Sequence, residues 1–291
     1  SALFAHRKKH SLMSQDQPFV HLHVHTEYSL LDGLSHISKL VTRAQELEMP
    51  ALAITDHGTM FGVIDFYRAC KDKGIRPIIG MEGYLARRSM ADRDPKLDNR
   101  PYHLLLLARN DVGYRNLLKI ASTAQLEGYY YKPRIDSDYL AAHAEGLIAT
   151  SGCLAAQIPS MVAEGNDEKA RALIGWYQDV FGPENFFLEL QQHDIPELMT
   201  LNKWLIDYRK SGHSHVGLVA TNDVHYIRPE DFDSHDTLLC IQTGTLKSDA
   251  NRMRMTDASY HLTTQAEMWH YFREVPEALH NTVQIAEMCD V

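Results

Sequence analysis

The stretch F-V-H-L-H-V-H, residues 19–25, is the most informative segment of the chain, because it alternates apolar residues with histidines. Successive side chains of an extended strand point to opposite faces, so the pattern predicts a β-strand with His21, His23 and His25 on one face. Buried imidazoles in an apolar strand are costly unless a partner satisfies them. The stretch therefore predicts a strand whose histidines bind something; the alternative is a polar patch on an edge strand.

Similar short apolar runs recur along the chain, and helical patterns separate them. This alternation predicts βα units and a mainly parallel sheet. The seven runs cover residues 19–25, 51–57, 76–82, 103–108, 147–153, 186–193 and 217–225. Apolar residues at helical spacing predict helices within 37–47, 113–127, 167–181 and 196–210 and two short helices within 264–290. Seven runs are too many for a small open sheet, so we expect a closed α/β barrel.

Side chains that can bind a metal stand at the ends of most of these runs. In barrels the chemistry lies at the carboxyl ends of the strands, and ordinary strand ends carry turn residues such as Gly, Asn, Ser or Asp. Six of the runs end instead in, or close to, His25, His57, Glu82, Cys153, His193 and His225. Because a barrel brings these ends together, their recurrence predicts a metal centre with nitrogen, oxygen and sulfur ligands.

Taken singly, several candidate residues also have an ordinary structural explanation. Cys153 fits a small buried hydrophobe, and Asp32, in the sequence L-L-D-G, fits a turn residue or a helix N-cap. His103 fits the surface-exposed start of a strand. Asp56 directly precedes His57 and is a candidate to orient the imidazole.

The sequence Y-Y-Y-K-P-R, residues 129–134, mixes aromatic with cationic side chains. Such a loop can stack on bases and contact phosphates, which makes Tyr130, Lys132 and Arg134 candidate substrate contacts. The alternative is tyrosine packing with solvated charge. The polar stretches 85–101 and 243–260 are expected to be exposed loops.

Composition narrows the class of protein. The 291 residues carry a net charge of -9, which excludes a protein that holds nucleic acid by bulk charge alone. The spacing of the four cysteines does not predict a disulfide framework, so a reducing cytoplasmic location is expected. The apolar runs are too short to predict a membrane span. Residues 1–17 are expected to be a poorly ordered, tag-like extension, and residues 18–291 a single domain.

Several motifs resemble the PHP (polymerase and histidinol phosphatase) superfamily, and most closely the PHP domains of bacterial replicative DNA polymerase III alpha subunits. The motifs are F-V-H-L-H-V-H-T-E-Y-S-L-L-D-G, A-L-A-I-T-D-H-G, G-I-R-P-I-I-G-M-E, G-Y-Y-Y-K-P-R-I-D and V-A-T-N-D-V-H-Y. The resemblance runs from Phe19 to the end of the chain. It implies a distorted (β/α)7 barrel with a metal cleft at the carboxyl ends of the strands.

The resemblance also implies a set of nine metal ligands for three divalent ions, with zinc, manganese or magnesium as the candidates. One ion would take His23, His25, Glu82 and Asp223. A second would share Glu82 and add His103 and Cys153, and a third would take Asp32, His57 and His225. His21 and His193 fall outside this set; His193 is a candidate supporting residue or general acid.

The activity that the resemblance implies is metal-dependent hydrolysis of DNA phosphodiesters from the 3′ end, a 3′-5′ proofreading exonuclease in DNA replication. The expected partners are a DNA 3′ end, the remainder of the polymerase alpha subunit and other replicase subunits. No membrane partner is expected. One alternative is a catalytically silent module that stabilises the polymerase and docks a proofreading subunit. That alternative predicts missing ligands, and all nine positions hold a ligand-type residue. The other alternative is a stand-alone PHP phosphatase.

Overall fold

One mixed sheet of seven strands organises the fold, which a computed structural model describes for residues 17–291. The strands are β1 (Ala51–Ile54), β2 (Arg76–Leu85), β3 (Tyr102–Ala108), β4 (Arg134–Ile135), β5 (Leu147–Thr150), β6 (Phe186–Gln191) and β7 (Gly217–Thr221). Their order in the sheet is β1-β2-β3-β5-β6-β7, and the two-residue β4 pairs with β2. The sheet curls with helices around it, as the predicted distorted (β/α) barrel requires.

The helices cover the outside of the sheet. They are α1 (Ile37–Glu46), α2 (Val63–Lys73), α3 (Asp111–Leu126), α4 (Ser137–Ala142), α5 (Gln157–Ala163), α6 (Asp167–Phe181), α7 (Pro196–Lys210), α8 (Phe232–Thr243), α9 (Gln265–Tyr271) and α10 (Pro276–Met288). The helices predicted from apolar spacing are confirmed, including the closing pair α9 and α10. In the described part of the chain, none of these helices combines the length and the hydropathy that crossing a membrane requires.

The segment 19–25 differs from its prediction, because it forms no continuous strand and bends at residue 23. It nevertheless lies between β1 and β7. Its carbonyls at His21 and Val24 accept hydrogen bonds from the backbone of β1 and Thr55, and the amide of His25 donates to Val224 on the other side (2.7 Å). Irregular pairing on both sides therefore connects the two outermost strands of the sheet.

The predicted mainly parallel sheet also needs a correction at β3, which is antiparallel to both of its neighbours, β2 and β5. The other pairings are parallel. Reversal of one strand has a consequence for the site. Because β3 runs the other way, His103, near its amino-terminal end, lies at the same edge as the carboxyl ends of the parallel strands.

Inward-facing positions change character along the strands. Near one end they form a buried apolar cluster, with Ala53, Ile78, Leu107 and Val219 among its members, which packs against Ile285 of α10. Two or four residues further toward the other edge, the same alternation places polar side chains inward. These are His57, Glu82, His103, Thr150, Glu189, Thr221 and Asp223. The apolar layer supports the fold, and the polar layer forms the floor of a cleft.

The two stretches predicted as loops, 85–101 and 243–260, contain little regular structure. The predicted extension of residues 1–17 lies, except for its last residue, outside the described residues.

Candidate metal centre

His23 and His25 meet two carboxylates at the centre of the cleft. Both imidazoles are fully buried, and their Nε2 atoms lie 3.3 and 3.2 Å from Oδ1 of Asp223. Each Nε2 also lies 3.5 Å from an oxygen of Glu82. The Nδ1 atoms face away and are held by other groups, at 2.8 Å from Glu189 for His23 and 3.1 Å from the hydroxyl of Ser29 for His25. The Nε2 atoms therefore point together into the cleft.

A second group forms around the other side of Glu82. Nδ1 of His103 lies 2.9 Å from Oε1 of Glu82. Sγ of Cys153 lies 3.6 Å from each of these two atoms. One nitrogen, one oxygen and one sulfur thus converge from β2, β3 and the turn after β5. This is a donor set that suits zinc or a similar borderline ion.

The third group contains Asp32, His57 and His225. Nε2 of His57 lies 2.9 Å from Oδ2 of Asp32, and Nε2 of His225 lies 3.9 Å from Oδ1. Asp32 lies in a turn that needs glycine at the next position, because a Cβ on Gly33 would lie 2.0 Å from the carbonyl oxygen of Thr26. The turn brings a carboxylate from outside the sheet to the strand ends.

All nine predicted ligand residues therefore lie in one cleft. Among residues 17–291, three triplets have potential ligand atoms within 4.8 Å of one another: His25–His57–His225, His23–His25–Asp223 and His57–Glu82–His103. Two of these triplets cross the grouping that the family resemblance implies, since they place His57 beside His25 and beside Glu82. The convergence of the nine residues is an observation, and their division among individual ions stays a prediction.

Several buried polar atoms in this cleft lack a hydrogen bond within the described part of the chain. They are Nε2 of His23, Nε2 of His25, Oδ1 of Asp32, Nδ1 of His57 and Oδ1 of Asp223. Nδ1 of His57 is 2.7 Å from Oε2 of Glu82 but lacks hydrogen-bond geometry. Buried polar groups are normally paired. Five unpaired nitrogen and oxygen atoms in one cleft are the donors that divalent cations would need, so the residues fit a metal centre.

The backbone at Asp223 supports the same interpretation. Its φ is 50°, in the left-handed region that a residue other than glycine rarely adopts. Such strain costs about 1–3 kcal/mol and persists where the surrounding structure requires it, commonly at functional sites. The conformation directs the Asp223 carboxylate toward His23 and His25.

Burial and neighbouring charges act in opposite directions on the pKa values of several ionisable groups in the cleft. Burial by itself would raise the pKa of Glu82, but His103, His23 and His57 hold that pKa well below its usual range. Burial lowers the pKa of His57, yet Glu82 and Asp32 together raise it to about 10. Burial, Glu82 and Asp223 raise the pKa of the Cys153 thiol well above its usual range. The carboxylates thus stay ionised and demand nearby positive charge.

Two carboxylates behind the ligands were either missed or misassigned in the sequence analysis. Glu189 is buried and accepts hydrogen bonds from Thr150, Thr221 (2.5 Å) and Gln191 in addition to its contact with His23. The available signal in the sequence was its position on β6, two residues after Phe187, which places both side chains on the same face of the strand. Asp56 was expected to orient the imidazole of His57, but no hydrogen bond joins these two side chains in the described part of the chain.

Asp56 instead supports the turn that follows the 19–25 segment. Its carboxylate accepts from the backbone and hydroxyl of Thr26 (2.6 and 2.7 Å) and from the hydroxyl of Ser29 (2.7 Å). Ser29 in turn contacts Nδ1 of His25 and accepts from the backbone of His57. Asp56 therefore orients His25 through Ser29.

His21 and His193 lie outside the cluster of nine. Nε2 of His21 is 2.9 Å from the carbonyl oxygen of Thr263, and His21 is separated from His23 because the chain bends between them. His193 stacks on Tyr260 with ring centroids 3.7 Å apart, and its Nδ1 is 2.6 Å from the hydroxyl of Ser259. Burial lowers the pKa of His193 to about 4, so its imidazole is neutral at pH 7.

The cleft has a volume of about 550 Å³ and is open to solvent. Lys132 lines it, with Nζ 5.4 Å from the ring centroid of Tyr84. Tyr130 does not line the cleft; its ring contacts Tyr131 and lies 5.3 Å from the guanidinium of Arg134. Of the three predicted substrate contacts, only Lys132 lies at the cleft.

Arg134 requires a correction, because it is fully buried and cannot reach a substrate phosphate. Its guanidinium donates to the backbone carbonyls of Gly128 (3.0 Å), Asp98 (3.3 Å), Met90 (3.0 Å) and Asp92 (3.0 Å). The arginine therefore fastens the 85–101 loop to the tyrosine-rich segment. A charged side chain in a polar loop was the basis of the prediction, and its burial by backbone carbonyls was not visible in the sequence.

With this geometry established, comparison with known proteins identifies the family. The sequence profile of the PHP domain matches residues 21–193. The chain belongs to the PHP domain family. The PHP match contains His23, His57, Glu82, His103 and Cys153, whereas Asp223 and His225 lie beyond it.

Curated relatives of this PHP domain are polymerase subunits. The chain is 46% identical over 280 residues to the DNA polymerase III subunit alpha of Borreliella burgdorferi, which covers 96% of this chain and 24% of the relative. It is 44% identical over 287 residues to that of Thermus aquaticus, covering 96% of this chain and 23% of the relative. The chain thus spans about a quarter of the length of these relatives.

A solved structure from Bifidobacterium adolescentis, described as a candidate metal-dependent phosphoesterase, is also similar. The match covers 71% of this chain and 87% of that one, with a TM-score of 0.43 and 16% sequence identity.

Proposed function

We propose that this chain is the PHP domain of a bacterial DNA polymerase III alpha subunit, and that it removes nucleotides from a DNA 3′ end by metal-dependent phosphodiester hydrolysis. The observation that carries the proposal is the convergence of nine ligand-type side chains, with five unpaired buried donor atoms, in one solvent-open cleft. High identity to polymerase subunits supplies the biological context.

The cleft offers nitrogen, oxygen and sulfur donors in proportions that suit zinc or manganese, with magnesium a poorer match to the imidazoles and thiol. His23, His25, Glu82 and Asp223 would hold one ion. The other two groups, Glu82–His103–Cys153 and Asp32–His57–His225, would hold the remaining two. Divalent ions at these positions would act as Lewis acids toward a phosphate oxygen and would activate water near neutral pH.

The surrounding residues prepare the cleft for a phosphodiester. Glu189 fixes the orientation of His23, and Ser29 fixes that of His25, so that both Nε2 atoms face the cleft. Lys132 places a positive charge at the wall, where it attracts a phosphate. Because His193 is neutral at pH 7 and fixed by Ser259 and Tyr260, we assign it a supporting role and no general-acid role.

The partners follow from the length of the relatives. The remainder of a polymerase alpha subunit, other replicase subunits and a DNA 3′ end are the partners we propose, in the bacterial cytoplasm. A silent module would not need nine ligand-type side chains in one cleft. A stand-alone phosphatase would prefer a small phosphate monoester to DNA.

The first test is metal content and cleavage by the purified chain, prepared without a histidine tag or chelator. We expect about three divalent ions per chain by elemental analysis and release of nucleotides from a 3′-labelled oligonucleotide. Turnover of p-nitrophenyl phosphate in place of the oligonucleotide would instead favour the phosphatase. Zero or one ion after reconstitution with zinc or manganese would refute the metal centre.

Matched variants separate the site from a contaminating nuclease. Asp223→Asn and His57→Ala should abolish cleavage while the chain still unfolds cooperatively. The controls are Asp207→Asn and His213→Ala, because both of these side chains are exposed. If all four variants cleave like the wild-type chain, the cleft is not the site of the activity.

A further inference from the structure

One wall of the cleft is apolar, although its floor is made of charged and imidazole groups. Leu154 and Ile195, in the turns after β5 and β6, and Leu198, in α7, contribute aliphatic side chains. Met253 and Met255 add two thioethers. Met253 is 54% exposed, so this wall presents an apolar side chain that a molecule in the cleft can contact. The metal-ligand floor does not explain this wall.

The two methionines belong to a loop, residues 244–259, that is fastened to α8. Arg252 pairs with both carboxylate oxygens of Asp236, at 2.5 and 2.7 Å, in a fork-to-fork arrangement. Its side chain is only 6% exposed. Lys247 makes a further ion pair with Asp233, at 2.5 Å. An irregular loop is thereby held where Met253 and Met255 reach the cleft.

The other end of the loop is fixed to the elements that carry the ligands. The carboxylate of Asp257 accepts from the backbone of Asp194 at 2.6 Å. The Asn222 amide donates to the carbonyl of Ser259 at 2.7 Å, and the Ser259 hydroxyl contacts His193. The loop that carries Met253 and Met255 is therefore fixed at both of its ends relative to the metal-ligand residues. We call the surface formed by these two side chains the methionine wall.

We propose that the methionine wall is the subsite for the nucleobase of the terminal nucleotide, an inference that rests on the proposed function. A nucleotide joins a charged phosphate to a planar apolar face, and the cleft joins a charged floor to an apolar wall. The volume of about 550 Å³ lies within the roughly 300–1,000 Å³ of pockets that enclose one small ligand.

The chemistry of the wall predicts little preference among the four bases. Thioethers are polarizable and adaptable, so Met253 and Met255 can contact any base face. Stacking on a face is tolerant of sequence because every base has one. The amide of Gln242, which also lines the cleft, can both donate and accept a hydrogen bond at a base edge.

A pair of esters with the same leaving group tests the subsite. Thymidine 5′-(p-nitrophenyl phosphate) carries a base, and methyl p-nitrophenyl phosphate does not. The ratio of their kcat/KM values should fall about tenfold in the double variant Met253→Gln/Met255→Gln, the change that loss of roughly 60 Å² of apolar contact produces. Met199→Gln is the matched control, because Met199 is 65% exposed and does not line the cleft; its ratio should stay at the wild-type value.

A binding measurement keeps the subsite testable apart from catalysis. In zinc-loaded chain with ¹³C-labelled methionine methyl groups, thymidine 5′-monophosphate should shift the signals of Met253 and Met255, whereas inorganic phosphate should not. The single variants Met253→Gln and Met255→Gln assign these two signals among the 11 methionines.

The outcomes distinguish the two proposals. If the wild-type chain hydrolyses neither ester, the proposed function fails, and the methionine signals alone decide the subsite. If it hydrolyses both esters and the double variant keeps the wild-type ratio, the subsite is wrong and the proposed function stands. Equal shifts of Met253 and Met255 with nucleotide and with phosphate, or no shifts at all, would also overturn the subsite.

Discussion

Replacement of Arg134 by methionine should destabilise the chain substantially. The guanidinium is fully buried and donates to four backbone carbonyls, which belong to Met90, Asp92, Asp98 and Gly128. Methionine fills a similar length of space but offers no donor, so the Arg134→Met variant leaves these four acceptors without their partner.

The size of the effect follows from the number of hydrogen bonds. A typical intramolecular hydrogen bond contributes about 1 kcal/mol net, so four bonds contribute about 4 kcal/mol. Removal of the buried charge also removes its desolvation cost, which offsets part of this loss. We therefore expect the free energy of unfolding to fall by about 3 kcal/mol. With a urea dependence of about 3 kcal/mol per M, the midpoint should fall by about 1 M.

Urea unfolding followed by circular dichroism measures this change directly. The matched control is Arg93→Met, since Arg93 is exposed and donates to a single carbonyl, that of Glu127, at 3.3 Å; its midpoint should equal that of the wild-type chain. If Arg134→Met unfolds at the wild-type midpoint and weakens DNA binding instead, the structural assignment is wrong and a substrate contact at Arg134 is restored.

Three further predictions concern the metal centre, pH and the thiols. Glu189→Gln should weaken zinc binding about 10–100-fold, because the carboxylate orients His23; competition with a chromophoric chelator measures this, and unchanged affinity would contradict it. Burial lowers the pKa of His21 to about 4. Below pH 6.5 the unfolded chain therefore binds more protons at this residue than the folded chain does, so the free energy of unfolding decreases as the pH is lowered. Between pH 7 and pH 5, His21 should lower the free energy of unfolding by about 2 kcal/mol. Urea titrations at both pH values measure this loss, which should be absent from the His21→Gln variant. Burial raises the thiol pKa of Cys70 and of Cys289 to about 12, so at pH 8 mass spectrometry should detect iodoacetamide on them only after unfolding, and rapid labelling of the native chain would refute their burial.

The agreement between sequence and structure is best where the signal is local. Helices such as α6 and α7 follow directly from apolar residues at helical spacing, since one face of each packs on the sheet. Strand ends followed by His57 or by Asp223 and His225 were recognisable because a barrel brings such ends to one edge. Several of the side chains that meet in the cleft were therefore recognisable from the sequence before any contact was known.

The 19–25 segment shows the limit of periodicity. Alternation predicted one face for His21, His23 and His25, but a bend at residue 23 leaves His21 against Thr263 and directs the other two into the cleft. The reversed direction of β3 was equally invisible, because an apolar run carries no information about its orientation. Pairing with neighbours that are distant in sequence decides both features.

Residue chemistry and local spacing thus determined which side chains were available for a metal centre, including a cysteine among histidines and carboxylates. Only the tertiary structure decided what surrounds each charge. Arg134 donates to backbone carbonyls of residues 6 to 44 positions away in the sequence. Glu189 contacts His23, which is 166 positions away. Arg252 anchors the loop that places two methionines at the cleft. The physical reason is that the energy of a charged or polar group depends on its nearest partners and its burial. Long-range packing sets both.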